Sequence, residues 1–255
     1  AQPISMKNIK EVCALCRENG IRTVIDASLM QDNLYFIKVR EPEYKDVPLK
    51  DIMHELADIS DIIYFSARKL GFSRGGAIIT KHENIYREMM EFIPLYEGFL
   101  TYGGMEVRSM EAMAQGLYES LDMEIISQGP LFIEYLVKEL DDYGVPMVKP
   151  AGGLGAHINA SAFMPHNVYP AAALAAAVYI AGGIRGMERG TLSEQREEDG
   201  TERYAELELL RLACPRRVFT LSQIKYCADR VKWLYDNREL IGGLEWVEEP
   251  KVLRF

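Results

Sequence analysis

The chain has no long apolar run, no surplus of positive charge and only four cysteines. Each shortage excludes something. The alanine-rich stretch from Ala171 to Ile184 comes nearest to a membrane span, but it is too short and is bracketed by Pro170 and Gly182-Gly183. A net charge of −9 and a pI near 5.1 leave no basic footprint for nucleic acid and no attraction to an acidic membrane surface. The four histidines, His54, His82, His157 and His166, show no metal-ligand spacing, so no metal site is expected. The cysteines do not form a secreted disulfide framework. Cys13 and Cys16 make a C-x-x-C, but it falls in the middle of the helical pattern MKNIKEVCALCREN. Redox chemistry would want that pair at a helix N-terminus, and a zinc site would want a second pair. Packing is therefore the expected role. The opening AQPISMKNIKEV has no charged segment followed by an apolar one, so no signal peptide is read there and a cytoplasmic location is expected. It also starts without Met in what reads as a loop before a helix, which predicts a fragment or a processed product.

What is present is a chain of 255 residues, 48% apolar, enough for one large domain or two small ones. The spacing predicts a helix over 7–19, a short strand over 22–26, an apolar stretch LYFIKV of open type and a helix over 48–58. Strands follow at 61–66 and 76–80, then helices over 83–97 and 105–143, with a bend expected near Gly129-Pro130. This alternation predicts α/β architecture with a mainly parallel sheet. From about 145 the pattern turns to short strands (VPMVKP, GAHINAS, ELLRLAC) and helices over 170–181 and 221–238, a compact α+β unit. The boundary is placed near residue 120, giving domains 1–120 and 121–255. The charge run EQREEDGTER (194–203) reads as a solvated loop.

Two ionisable residues stand at the C-terminal ends of apolar strands: Asp26 closing IRTVID and Lys69 following IIYFSAR. Open α/β sheets place their ligand crevice there. A lysine can bind a carbonyl cofactor covalently and a carboxylate can hold a pyridinium nitrogen, the recurring parts of pyridoxal phosphate sites. Asp26 could also simply cap the turn after it. Ser66 and Arg68 are suitable phosphate ligands, by hydroxyl and by charged fork. Ser66 to Lys69 is also formally S-x-x-K, but the further elements that serine acyl-enzymes need are missing. Arg211, a lone charge in an apolar run, needs a partner: a substrate carboxylate or a structural ion pair. Tyr102-Gly103-Gly104 reads as a close backbone approach or as a helix lead-in.

At these residues the chain resembles the β-eliminating lyases, the tyrosine phenol-lyase and tryptophanase family. The resemblance runs through AQPISMKNI, IDAS, YFIK, SARK, RGG, YEGFLTYGGMEVRSMEAMAQGL, PAGG, IRGMERG, LLRLACPRRVFT and EPKVLRF. It covers nearly all of this chain but only the C-terminal half to two-thirds of a member. It implies a fold-type I pyridoxal phosphate enzyme: an incomplete large domain followed by a small C-terminal one. Lys69 would carry the cofactor and act as base, Asp26 would hold its ring nitrogen, and Ser66 and Arg68 would touch its phosphate. Arg68 stands where the family has lysine. Arg211 would bind the α-carboxylate of an amino-acid substrate and Arg189 a phenolic hydroxyl. Phe99 and Phe255 would line the side-chain pocket, with Tyr102 near the catalytic centre.

The implied reaction is β-elimination of an aromatic L-amino acid to the aromatic leaving group, pyruvate and ammonia. The family also implies a monovalent cation such as K+ and a tetramer. Two departures stand out: Leu29 replaces an arginine three residues past the aspartate, and Leu154 replaces a histidine after PAGG. The N-terminal part of the family pattern is missing, so a second chain supplying it is expected. The alternatives are a non-catalytic scaffold subunit of the same fold or another pyridoxal phosphate β-lyase.

Overall fold

A computed structural model describes residues 2–71, 73–250 and 254. The chain forms two compact units. The first holds Ala1–Pro130 with Pro215–Arg217, the second Leu131–Cys214 with Val218–Phe255.

The first unit opens with α1 (Met6–Glu18), whose N-cap Ser5 accepts a hydrogen bond from the Asn8 amide at 3.1 Å. Cys13 is buried on α1, and burial pushes its thiol up, which agrees with packing. Strand β1 (Val24–Asp26) leads into α2 (Met30–Arg40). The LYFIKV stretch therefore lies within a helix, where its buried residues Leu34, Phe36 and Ile37 fall. Helix α3 (Leu49–Ile59) starts directly after Pro48 and precedes β2 (Ile62–Ser66) and β3 (Gly76–Thr80). Met6, Leu34, Ile52, Leu56 and Ile126 make the main core of this unit.

Its sheet runs β1-β2-β3, with β1 parallel to β2 and β3 antiparallel to β2. It is mixed rather than mainly parallel, because the connection 67–75 is shorter than the roughly twelve residues a parallel crossover needs. Helices α4 (Glu83–Tyr96), α5 (Val107–Glu119), α6 (Met123–Ile126) and α7 (Gln128–Asp142) follow. The single long helix expected over 105–143 is thus broken twice. Asp122 caps α6 by accepting the Glu124 amide at 2.9 Å. Pro130 makes no bend, since it lies in the first turn of α7, where a missing N–H costs little. The division between the units falls at Pro130.

In the second unit, β4 (Gly155–Asn159), α8 (Ala160–Phe163), α9 (Pro170–Gly182), β5 (Met187–Arg189), β6 (Leu209–Ala213) and α10 (Leu221–Asp236) follow in order. The sheet order is β4-β6-β5, antiparallel throughout. VPMVKP contributes only an isolated bridge, Met147 to Ile158. Alternation divides the sheet faces. Ala156, Ile158, Leu210 and Leu212 are buried in a core with Phe163 and Leu174. His157, Arg211, Met187 and Arg189 share the opposite face. The charge run at 194–203 is a loop, but not a wholly solvated one. Its Glu202 is nearly buried against Arg254 at 2.9 Å, and Arg196 pairs with both Glu202 and Glu249. Among the described residues no helix is long and apolar enough to cross a membrane.

Candidate active site

In the first unit the parallel pairing sets Asp26 opposite Tyr64, two residues before the end of β2. Asp26 is exposed, and its Oδ1 accepts the Ser28 amide at 2.9 Å. The turn-capping role read from the sequence is therefore present and uses one carboxylate oxygen. Burial alone would raise the Asp26 carboxyl. Hydrogen bonds from Ser28 and the Tyr64 hydroxyl, with the nearby Lys69 charge, outweigh it and hold the group below its usual range. Asp26 is thus an ionised carboxylate within electrostatic reach of Lys69.

Lys69 stands exposed on a tight turn. The Leu70 amide donates to the Ser66 carbonyl at 3.2 Å, and the Gly71 amide to the Arg68 carbonyl at 3.1 Å. The loop closes where the Ala67 amide donates to the Gly75 carbonyl at 3.0 Å. Gly76 follows, where a Cβ would stand 2.0 Å from the Phe65 carbonyl oxygen, so no other residue fits. Ser66 is half-buried at the base of this turn and Arg68 is exposed on it. Phe99 and Tyr102 pair with each other, centroids 5.8 Å apart, on the loop after α4. Both are exposed. Phe255 lies outside the described residues. Sequence reading missed Ser28 and Tyr64 as partners of Asp26. The Asp-x-Ser spacing is an Asx-turn signal that could have found Ser28; Tyr64 follows only from strand register.

The second unit gathers positive charge. Arg211 is flanked across the strands by His157 and Met187, and Arg189 lies on the same face. The Arg211 Nη2 approaches the Met187 sulfur at 2.9 Å, while its buried Nε has no hydrogen bond among the described residues. Burial and then the Arg189 charge lower the Arg211 pKa. Among the described residues neither arginine forms a salt bridge, so this face carries positive charge without a counter-ion, which suits an anion such as a carboxylate.

Foremost by burial, with the two arginines adding, His157 is pushed down to about 4. It is neutral at neutral pH. The unfolded chain takes up this proton near 6.5. Stability is therefore lost as pH falls from there towards about 4. NMR titration is expected to show no change in its ring resonances between about pH 8 and pH 5. A midpoint near 6.5 would remove His157 from this cluster.

Comparison with known proteins adds the lineage. Residues 1–230 match the family described as beta-eliminating lyase. The tyrosine phenol-lyase of Pasteurella multocida is 42% identical over 259 residues, covering 100% of this chain and 57% of that protein. The tyrosine phenol-lyase of Lacrimispora saccharolytica is 44% identical over 260 residues, covering 100% and 56%. A probable tryptophanase of Aeropyrum pernix is 38% identical over 256 residues, covering 98% and 55%. The chain thus spans little more than half the length of these relatives. Among solved structures, a serine palmitoyltransferase from S. paucimobilis superposes with a TM-score of 0.57 at 14% identity, covering 91% of this chain and 52% of that one. One from Sphingomonas wittichii gives 0.56 at 13%, covering 92% and 52%. These likenesses place the fold in the type I class of pyridoxal phosphate enzymes. With a family match over most of its length and relatives at about two-fifths identity, the chain belongs to the β-eliminating lyases.

Proposed function

We propose that this chain carries the lysine and ring-nitrogen carboxylate of a pyridoxal phosphate-dependent carbon–carbon lyase. The reaction is β-elimination of an aromatic L-amino acid, tyrosine-like or tryptophan, to the aromatic leaving group, pyruvate and ammonia. The observation that carries this reading is the ionised Asp26 beside Lys69 at the ends of neighbouring parallel strands. These residues fit the cofactor: opposite charges for its two reactive ends, with Ser66 and Arg68 on the same turn for its phosphate. Bound there, pyridoxal phosphate supplies an electron sink for negative charge at the substrate α-carbon. Lys69 Nζ would hold it, and its free amine would serve as the base for the substrate α-proton. Asp26, through its own charge, would favour a proton on the pyridine nitrogen. By the family resemblance, Arg211 would take a substrate α-carboxylate and Arg189 a phenolic hydroxyl, and Phe99 and Tyr102 of the first unit would serve an aromatic side chain.

The segment that completes the relatives' length would come from a second chain or from a longer form of this one. Val24, Ile78 and Ile79 support this, since they lie exposed on the sheet as apolar surface that a partner would cover. A monovalent cation such as K+, a tetrameric assembly and a cytoplasmic location belong to the same proposal. A non-catalytic scaffold subunit is the second reading. It is favoured by Leu29, which precedes α2 where the family pattern has arginine.

The test is to add pyridoxal phosphate to the chain alone and mixed with the N-terminal remainder of a relative, and to record visible absorbance. Pyruvate release is then assayed from tyrosine, tryptophan and S-alkylcysteines. A visible band that needs the remainder, with pyruvate from tyrosine, is the expected result. No band in either mixture would overturn the enzyme reading.

A further inference from the structure

Both turns of the proposed cofactor site meet one residue, Arg216, at the first by its guanidinium and at the second by its main chain and Cβ. Arg216 comes from the segment Pro215–Arg217, which belongs to the first unit. Its Nη2 donates to Asp32 Oδ1 at 3.0 Å and to the Ile126 carbonyl at 3.5 Å. Asp32 lies in the first turn of α2, just past Asp26. Its neighbour Gln31 donates to the Ser120 hydroxyl, which in turn donates to the Gly116 carbonyl at 2.8 Å.

On the other side Arg216 meets the lysine turn. A Cβ on Gly71 would stand 3.1 Å from the Arg216 carbonyl oxygen and 3.4 Å from its Cβ, and Gly71 has φ +79°. Leu70, Gly71, Gln31 and Arg216 line one small cavity of about 10 Å³. Arg216 Nε and Nη1 and Gln31 Oε1 have no hydrogen bond among the described residues. A buried guanidinium with two idle nitrogens is a poor stabiliser compared with an apolar side chain of the same size. What it provides is a fixed, directional link between two segments.

We propose that Arg216 is a positioning residue. Its main chain backs the Leu70–Gly71 turn while its guanidinium grips the start of α2, and so the fork sets the spacing of Asp26 and Lys69. The proposal rests on reading that pair as the cofactor site, and its test separates the two. The full chain is compared with Arg216→Lys and with the double variant Arg216→Met, Asp32→Asn, which removes both charges with little change in volume. Three quantities are measured: Tm, the pH midpoint of the Asp26 carboxylate by carbon NMR without cofactor, and pyridoxal phosphate binding by visible absorbance.

The double variant is expected to keep its Tm, to shift the Asp26 midpoint upward and to bind pyridoxal phosphate about tenfold to a hundredfold more weakly. Arg216→Lys should restore part of both losses, because it keeps the charge and loses the fork. A folded double variant with the Asp26 midpoint and the binding both unchanged would overturn the proposal. If the unaltered chain binds no pyridoxal phosphate with or without its N-terminal remainder, the cofactor reading fails, and the Asp26 midpoint still decides the role of Arg216.

Discussion

Replacing Lys69 by alanine is expected to erase the visible band of the bound cofactor and to lower elimination by at least about 10⁴-fold. The reason lies in the turn that holds it. Ser66, Gly71 and Gly75 fix the main chain on either side, and no second lysine stands on this turn to take over as nucleophile or base. Lys69→Arg should not rescue the loss, because a guanidinium keeps the charge but cannot give up its proton. The two variants separate charge from chemistry. In Lys69→Ala the Asp26 midpoint should rise, since the Lys69 charge helps to hold that carboxyl down. In Lys69→Arg it should stay low. Stability should change by no more than about 0.5 kcal/mol, because the side chain is exposed. A Lys69→Ala protein that retains the band would mean that another residue carries the cofactor.

Arg211→Met should produce opposite signs in binding and in stability. If Arg211 grips a substrate carboxylate, losing the charged fork raises KM for an amino acid by about a hundredfold, near 3 kcal/mol. The folded protein should at the same time become more stable by about 1 kcal/mol, a few degrees in Tm. The half-buried guanidinium has an unpaired Nε, no carboxylate partner among the described residues and a like charge beside it. Methionine relieves all three. The sequence left two roles open for this residue, and this experiment distinguishes them. A structural ion pair would make the variant less stable and leave KM alone. A fall in Tm with unchanged KM would therefore return Arg211 to the scaffold.

Much of this was legible because it is local. The β-branched runs before Asp26 and Lys69 predict strands, and consecutive strands in an α/β pattern tend to lie side by side, so their ends come together. Helix α2 was not legible. LYFIKV is rich in aromatic and β-branched residues, its first turn has no capping side chain, and only burial of Leu34 and Ile37 makes it helical. The breaks on either side of α6 depend on Asp122 as a cap, a weak signal inside a long helical pattern. Long-range partners were out of reach. Arg216 meets Asp32 across 184 positions, and no spacing rule links a proline-flanked arginine to a helix that far upstream. Tyr64 met Asp26 only once register was known.

Gly76 bears on how such sites are searched for. The string Ser-x-x-Lys by itself retrieves serine acyl-enzymes, in which the hydroxyl and amine share a helix turn. Here the same letters sit on a strand-to-turn corner. What marks the corner is the glycine that reopens the next strand, where the Phe65 carbonyl leaves no room for a side chain. A useful query therefore spells out the punctuation as well as the reactive letters: a strand, Ser-x-x-Lys, a short loop, then paired glycines.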